Sequence, residues 1–292
     1  MAEDTWIRRV DPRRIALYLV LVGMIGFYLM PLESGLVTAF KTQDAFFRTT
    51  PFLPPGVESF TVDPWITAFD RLEEGLLNSL LFTVPATLMS ATLGSLAAYG
   101  LTKVEWRGQG PILVLFVAGI FIPYQAVLVP LTRFWSMVPI QELFSFFHPI
   151  SSRASLVALA VTHTAYGIPI CTLLFRAHYQ SIDTAIIEAA RLDGARVAKI
   201  YWRIILPLSL PMFAVTIIYQ FTNIWNDLLF ALVLVSDPAE TPVTIALNQL
   251  KGSMVQQYNL QMAGAFITAL PTLLVYIFFG EQFAEGVRGG GT

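Results

Sequence analysis

One group of polar residues in this 292-residue chain has a spacing that could do chemistry. Gln220, Asn223 and Asp227 lie three and four residues apart, so on a helix they would share one face. Asp227 is the one acid well inside an apolar run, and a buried polar group without a partner is costly. Two readings follow: recognition of solute hydroxyls or a gate, and an interhelical hydrogen-bond clamp, which is the simpler account of Asp227. Other chemistries lack their residues. The four lysines, Lys41, Lys103, Lys199 and Lys251, follow Phe40, Thr102, Ala198 and Leu250, so no glycine-rich loop ends in Gly-Lys to cradle phosphates. His148, His163 and His178 form no His-x-x-x-His pair, and no Gly-x-Ser-x-Gly elbow occurs. The single cysteine, Cys171, excludes an intramolecular disulfide and a multi-cysteine zinc site.

The elements that must position these residues are set by composition. Hydrophobic residues make up 55% and charged residues 13%, against roughly 25% charged in a typical globular protein. With a net charge of -2 there is no strong field to gather nucleic acid. This is a membrane protein. A crossing helix needs about 20 largely apolar residues, and runs measured from charge to charge predict six, at about 15–39, 76–102, 110–132, 154–176, 205–235 and 261–280. Such lengths exceed those of barrel strands, so the class is all-α, with the six-helix domain over 15–280 between segments 1–14 and 281–292. Pro85, Pro123, Pro130, Pro169, Pro211 and Pro271 fall within the runs and read first as simple kinks. Lys and Arg collect on one side, 12 against 6, which predicts that both termini are cytoplasmic. Between Arg133 and Arg153, the aromatics Phe134, Trp135, Phe144, Phe146 and Phe147 suit an interfacial helix. The stretch from Lys41 to Glu74 is too proline-rich for a regular helix throughout, and Ser236 to about Leu260 is polar and outer.

One substantial cytoplasmic loop remains, within 181–207. Ser181 can cap a helix with Asp183 in its first turn, where the helix dipole favours an anion. Ile182, Ile186, Ala189 and Ala190 leave one face small or apolar, and Glu188 and Arg191 are spaced to support each other. Gly194 then breaks the helix, and Ala195 to Trp202 forms a second amphipathic segment leading to Pro207 in the first turn of the next span. A helix of this form is either a docking element or one lying on lipid headgroups.

Glu188-Ala189-Ala190, Asp193-Gly194-Ala195 and Ile204-x-Leu206-Pro207 resemble the EAA signature of ABC importer permeases. Asn78-Ser79-Leu80, Ala97-Ala98-Tyr99 and Trp225-Asn226-Asp227 are similar to the carbohydrate-uptake branch of maltose and glucose/mannose type, and His163-Thr164-x-Tyr166-Gly167-Ile168-Pro169 resembles its glucose/mannose group. Asp183 stands where that family usually has proline, and the chain closes on glycines where the family usually has lysine.

The resemblance implies a type I ABC importer permease fold, in the cell membrane, paired with a second permease subunit, two ATP-binding subunits and an extracytoplasmic sugar-binding protein. It implies no catalytic residue and no cofactor in this chain, with ATP and Mg held by the partner ATPase. Glu188, Ala189, Ala190, Asp193, Gly194 and Ala195 would couple to that ATPase, with Glu188 facing a basic residue and Gly194 allowing the turn. For a neutral, hydroxyl-rich sugar, amides and aromatic faces match better than full charges, so Tyr124, Gln125, His163, Tyr166, Gln220, Asn223, Asn226 and Asp227 are the candidate path residues. A monosaccharide such as glucose or mannose is the first expectation and a di- or oligosaccharide the second. The competing class is an autonomous channel or ion-coupled carrier with Asp227 as its ion site. An intramembrane enzyme is the third.

Overall fold

The computed structural model describes residues 12–146, 152–250 and 257–289. Residues 1–11, Phe147 of the aromatic stretch and 290–292 of the tail lie outside the described residues. Among the described residues the fold is helical, with one isolated antiparallel bridge between Lys41 and Phe60. In chain order the helices are α1 (Pro12–Ala39), α2 (Gln43–Arg48), α3 (Asp63–Thr102), α4 (Gln109–Ile120), α5 (Tyr124–Met137), α6 (Ile140–Leu143) and α7 (Ala154–Ser181). There follow α8 (Thr184–Leu192), α9 (Val197–Leu208), α10 (Leu210–Trp225), α11 (Leu229–Leu234), α12 (Val243–Gln249) and α13 (Tyr258–Gly289). Four of these, α1, α3, α7 and α13, are long and apolar enough to cross a membrane.

The expected runs at 110–132 and 205–235 are not single helices. The helices α4 and α5 meet at 100°, and α9 and α10 at 75°. Counting each bent pair as one span gives up to six. Proline is the local cause, since it has no N–H to continue the ladder. Pro123 caps α5 and Pro211 sits in the first turn of α10, whereas Pro31, Pro85, Pro130, Pro169 and Pro271 lie inside continuous helices. A second break, at Asn226 to Leu228, separates α10 from α11. The helix α3 starts at Asp63, earlier than the expected 76, because a first turn tolerates Pro64. The helix α13 runs from Tyr258 to Gly289, so residues 281–289 of the expected tail are helical. The expected interfacial helix is not continuous either: Phe134 and Trp135 belong to α5, and only Ile140–Leu143 is helical beyond it before residue 147.

The described residues fall into two compact units, one within 12–70 with 250 and 257–267, the other within 71–249 with 268–289. In the first, Phe40 stacks on Phe60 at 5.5 Å and meets Trp65 at 5.1 Å. Lys41 is buried, donating from Nζ to the Thr50 carbonyl at 2.8 Å, while its own carbonyl accepts from Asn259 Nδ2 at 2.9 Å. Burial pushes the Lys41 pKa down, with Glu33 opposing the shift.

The second unit holds the core and the candidate site. Its helices approach through small residues, as membrane helices do. A Cβ at Gly94 of α3 would lie 2.4 Å from Cys171 Cβ of α7. Around that crossing lie two apolar clusters. One joins Phe82 and Ala86 of α3 to Leu156 and Leu159 of α7, with Ile224 and Phe230. The other joins Ala98 and Tyr99 to Phe175, Tyr179, Ile187, Tyr201 and Met212. The stretch from Ala239 to Val243 is tied to this core. Asn78 Nδ2 donates to the carbonyls of Ala239 and Thr241, and Ser79 Oγ accepts from Val243 N at 2.8 Å. Buried Glu240 accepts from Leu156 N at 3.1 Å, a carboxylate at the positive end of α7.

Candidate functional site

The loop between α7 and α10 is built by its caps. Asp183, rather than Ser181, caps α8: its Oδ1 accepts from Ala185 N at 2.9 Å. Ser181 instead ends α7 and donates to the His178 carbonyl at 2.7 Å. Starting the helix at Thr184 changes which face turns inward. Ile187 is buried and Ile182 and Ala190 are half-buried, while Ile186, Glu188, Ala189 and Leu192 are exposed. The expected small face through Ile182, Ile186, Ala189 and Ala190 is therefore split between inside and outside.

At the other end Gly194 has φ of 75°, the one positive φ among the described residues. Its N–H donates to the Arg191 carbonyl at 2.9 Å, and Ala195 N donates to the Ala190 carbonyl at 2.9 Å. Together these make a Schellman motif, which satisfies the last carbonyls of α8 and needs a left-handed residue at Gly194. Asp193 is exposed and Ala195 half-buried.

The expected Glu188–Arg191 support is absent. Arg191 Nη2 donates to the Lys103 carbonyl at 2.8 Å, leaving Glu188 exposed, and Lys103 Nζ donates back to the Ile182 carbonyl at 2.8 Å. Burial pushes the Lys103 pKa down and nearby Asp183 opposes it. In the sequence Lys103 bears only on the missing Gly-Lys loop and on the count of cytoplasmic charges, and no spacing marks this exchange. After α8, the chain opens into a π-helical turn over Tyr201–Ile205, where Leu206 N donates to the Tyr201 carbonyl.

The second place is a cavity of about 60 Å³ lined by Tyr124, His163, Tyr166, Gly167, Ile170, Tyr219, Gln220, Asn223, Ile224 and Asp227. It has room for about four water molecules. Both irregular ends of the bent helices serve it. Tyr124 opens α5 just after the 100° bend, and Asp227 follows the end of α10. The rings form one aromatic group. Tyr124 meets Tyr166 at 5.1 Å and Phe230 at 5.0 Å, and His163 stacks on Phe82 at 5.8 Å. His163 Nε2 lies 3.5 Å from Asp227 Oδ2, both side chains being nearly buried, and has no hydrogen-bond partner. That oxygen also accepts from Phe230 N at 3.0 Å, so it caps the start of α11. The Asp227 carbonyl accepts from Thr244 Oγ1 at 2.9 Å.

Six of the eight expected path residues therefore meet in one cavity, and Gln220, Asn223 and Asp227 share it although Asp227 lies beyond the helix. Gln125 and Asn226 are exposed and do not line it. Asn226 Nδ2 donates to the Thr222 carbonyl at 2.8 Å, which stabilises the end of α10. Trp225, beside it, is buried and donates to the Thr268 carbonyl at 2.9 Å. The lining residues missed are Gly167, Ile170, Tyr219 and Ile224. A Cβ at Gly167 would fall 2.5 Å from Ser90 Oγ and closer still to Gln220 Nε2, so this glycine lets the cavity wall close. Gly167 stands two residues before Pro169 and no sequence period marks it; only the quoted Tyr166-Gly167 pair points there.

Residues 90–284, more than half of the chain, match the family described as binding-protein-dependent transport system inner membrane component. The chain belongs to that family. Its members are ABC importer permeases, non-catalytic transport subunits set in the membrane. A xylose/arabinose import permease of Haloferax volcanii is 47% identical, over 97% of this chain and 94% of that protein. A probable ABC transporter permease of Pyrococcus horikoshii is 44% identical, over 97% and 98%. Among solved structures, a bacterial ABC transporter involved in the import of the acidic polysaccharide alginate has a chain of the same fold. Its TM-score is 0.73 at 18% identity, covering 96% of this chain and all of that one.

Proposed function

We propose that the chain is one permease of an ATP-driven sugar importer, with six spans, both termini in the cytoplasm and half of the translocation path. The observation that carries this reading is the capped α8 helix. Of its EAA residues Glu188 and Ala189 are exposed, as is Leu192 in the next turn, which is what a helix seated in an ATPase cleft requires, while Ala190 packs inward. ATP and Mg belong to two partner ATPase subunits, and closure of those subunits swings the spans between inward-open and outward-open states. A second permease and an extracytoplasmic sugar-binding protein complete the assembly, the latter contacting the segment after Ser236.

The substrate is a monosaccharide, met by the tyrosines, His163, Gln220 and Asn223 when movement of the spans widens the cavity beyond its present volume of about 60 Å³. Support comes from the neutral amide and aromatic lining and from the pentoses in the name of the Haloferax relative. An ion-coupled carrier centred on Asp227 fits less well, because that carboxylate already caps α11.

The test is uptake by proteoliposomes holding the whole importer, with labelled xylose, arabinose, glucose, mannose and maltose. ATP-dependent uptake of a monosaccharide, lost in Glu188→Lys, is expected. Gradient-driven uptake by the chain alone would overturn the class, and preference for maltose would overturn the substrate.

A further inference from the structure

Ser95 and Tyr99 on α3, and Lys103 one residue past its end, stand four residues apart. Lys103 N still donates to the Tyr99 carbonyl at 2.9 Å, so the three follow one face of the helix and its last turn. All three are buried. Ser95 Oγ shares hydrogen bonds with Tyr179 OH at 2.6 Å and Tyr201 OH at 2.8 Å. Tyr99 OH donates to the Val197 carbonyl at 3.1 Å. Lys103 Nζ donates to the Ile182 carbonyl and the Lys103 carbonyl accepts from Arg191. One face of one helix thus holds the loop where it enters (Tyr179, Ile182), at the end of α8 (Arg191) and where it leaves (Val197, Tyr201).

The same helix reaches the cavity. Ser90 lies five residues before Ser95, about 7.5 Å along the axis at 1.5 Å per residue. Its Oγ donates to the Ala86 carbonyl at 2.7 Å, and it backs onto Gly167 and Gln220 in the cavity wall. Buried hydrogen bonds to backbone carbonyls fix position more firmly than apolar contacts, which can slide. Tyr201 also sits in the π-helical turn, a type of irregularity frequent at functional sites.

We infer that Ser95, Tyr99 and Lys103 are positioning residues for transport: they convert displacement of the α8 loop into movement of α3 and so of the cavity wall. This rests on the reading that α8 meets the ATPase. A purely structural role would lower the amount of assembled importer, or lower hydrolysis and transport in proportion. The coupling role lowers the sugar moved per ATP hydrolysed.

The experiment uses the complete importer in proteoliposomes, with sugar uptake and binding-protein-stimulated ATP hydrolysis measured in the same vesicles. Tyr99→Phe keeps the ring and its packing and removes one hydroxyl, so it carries the test even where a harsher variant fails to assemble. Loss of one neutral hydrogen bond is expected to lower sugar per ATP about fivefold, and Lys103→Met, which removes a charged donor, about tenfold or more. Lys103→Arg restores a donor and is expected to recover most of the ratio. A ratio unchanged in Tyr99→Phe and Lys103→Met, or the same loss in Lys103→Arg as in Lys103→Met, overturns the inference. Glu188→Lys in parallel separates the two levels. If it leaves stimulated hydrolysis and transport intact, the docking reading itself fails; if it abolishes them while the α3 variants keep the ratio, only the present inference fails.

Discussion

Gly194 offers a clean separation of torsional from steric cost. Its φ is 75°, yet a Cβ built there meets nothing within 4 Å. A substitution therefore acts through the backbone alone. The left-handed conformation costs an L-residue roughly 1–2 kcal/mol, and the stiffer unfolded chain of alanine returns about 0.4–1 kcal/mol. The difference for Gly194→Ala is about 1 kcal/mol against the Schellman turn, which is about fivefold in the population of the opened loop.

Arg196 and Lys199 are exposed beside this turn and give trypsin its target once the local helix opens. Where opening and closing are fast relative to cutting, the cleavage rate tracks the open population. Cleavage in permeabilised vesicles, followed by mass spectrometry of the two fragments, is expected to be about fivefold faster in Gly194→Ala. Asparagine visits the left-handed region more readily, so Gly194→Asn should fall between glycine and alanine. Gly194→Val, β-branched, should be cut fastest. Alanine cut at the glycine rate, or asparagine cut faster than alanine, would refute the torsional account, because the larger side chain meets open space.

Gly94 has the opposite constraint. Gly94→Ala would ordinarily strengthen a helix interior by about 1 kcal/mol. Here the new Cβ meets Cys171 Cβ at 2.4 Å and Thr172 N at 3.0 Å, a contact that includes backbone. Overpacking of about 1–3 kcal/mol should therefore dominate. The detergent-solubilised protein is expected to melt at a lower temperature, and a raised melting temperature would show that the helices are free to part. Glu240→Gln keeps the shape of the buried side chain but removes the charge facing the start of α7. A loss of about 1 kcal/mol is expected in thermal unfolding near neutral pH, and an unchanged midpoint would mean that the dipole contributes nothing there.

Apolar length carried the long helices into view, because a run of 20 residues between charges is a sum over many side chains. Bends escape such a sum. Residues 110–132 score as one run although the chain turns through 100° inside them, and only Pro123 among several prolines marks the place. The EAA pattern located α8 and its turn, but not its rotation. Asp183 fixes the first residue of the helix, and one residue of phase decides whether Ile186 or Ile187 is buried. Hydrogen bonds to backbone carbonyls across the fold leave no trace in spacing. Lys103 bonding Ile182, and Glu240 bonding Leu156, join residues 79 and 84 apart in the chain. The cavity was half legible. Gln220 and Asn223 follow helical spacing, and so does Tyr219, four residues before Asn223, whereas Gly167 contributes through a close approach to Ser90 and Gln220 that spacing does not show.

Asp227 holds the break between α10 and α11. Irregular backbone inside a membrane is tolerated only where it is buried in protein or lines a cavity, and the break at Asn226 to Leu228 leaves groups that need partners. Asp227 supplies them on both sides, its Oδ2 accepting from Phe230 N and its carbonyl accepting from Thr244. Capping holds the same Oδ2 at 3.5 Å from His163 Nε2, too far for a strong hydrogen bond and too close to admit a solute between them. The clamp thus leaves His163 Nε2 unpartnered at the cavity. A carboxylate committed to the backbone gives the cavity an acceptor of fixed position, while the tyrosines, His163 and Gln220 supply the donors. On the function proposed above, a neutral hydroxyl-rich solute would use both, and neither requires a mobile charge.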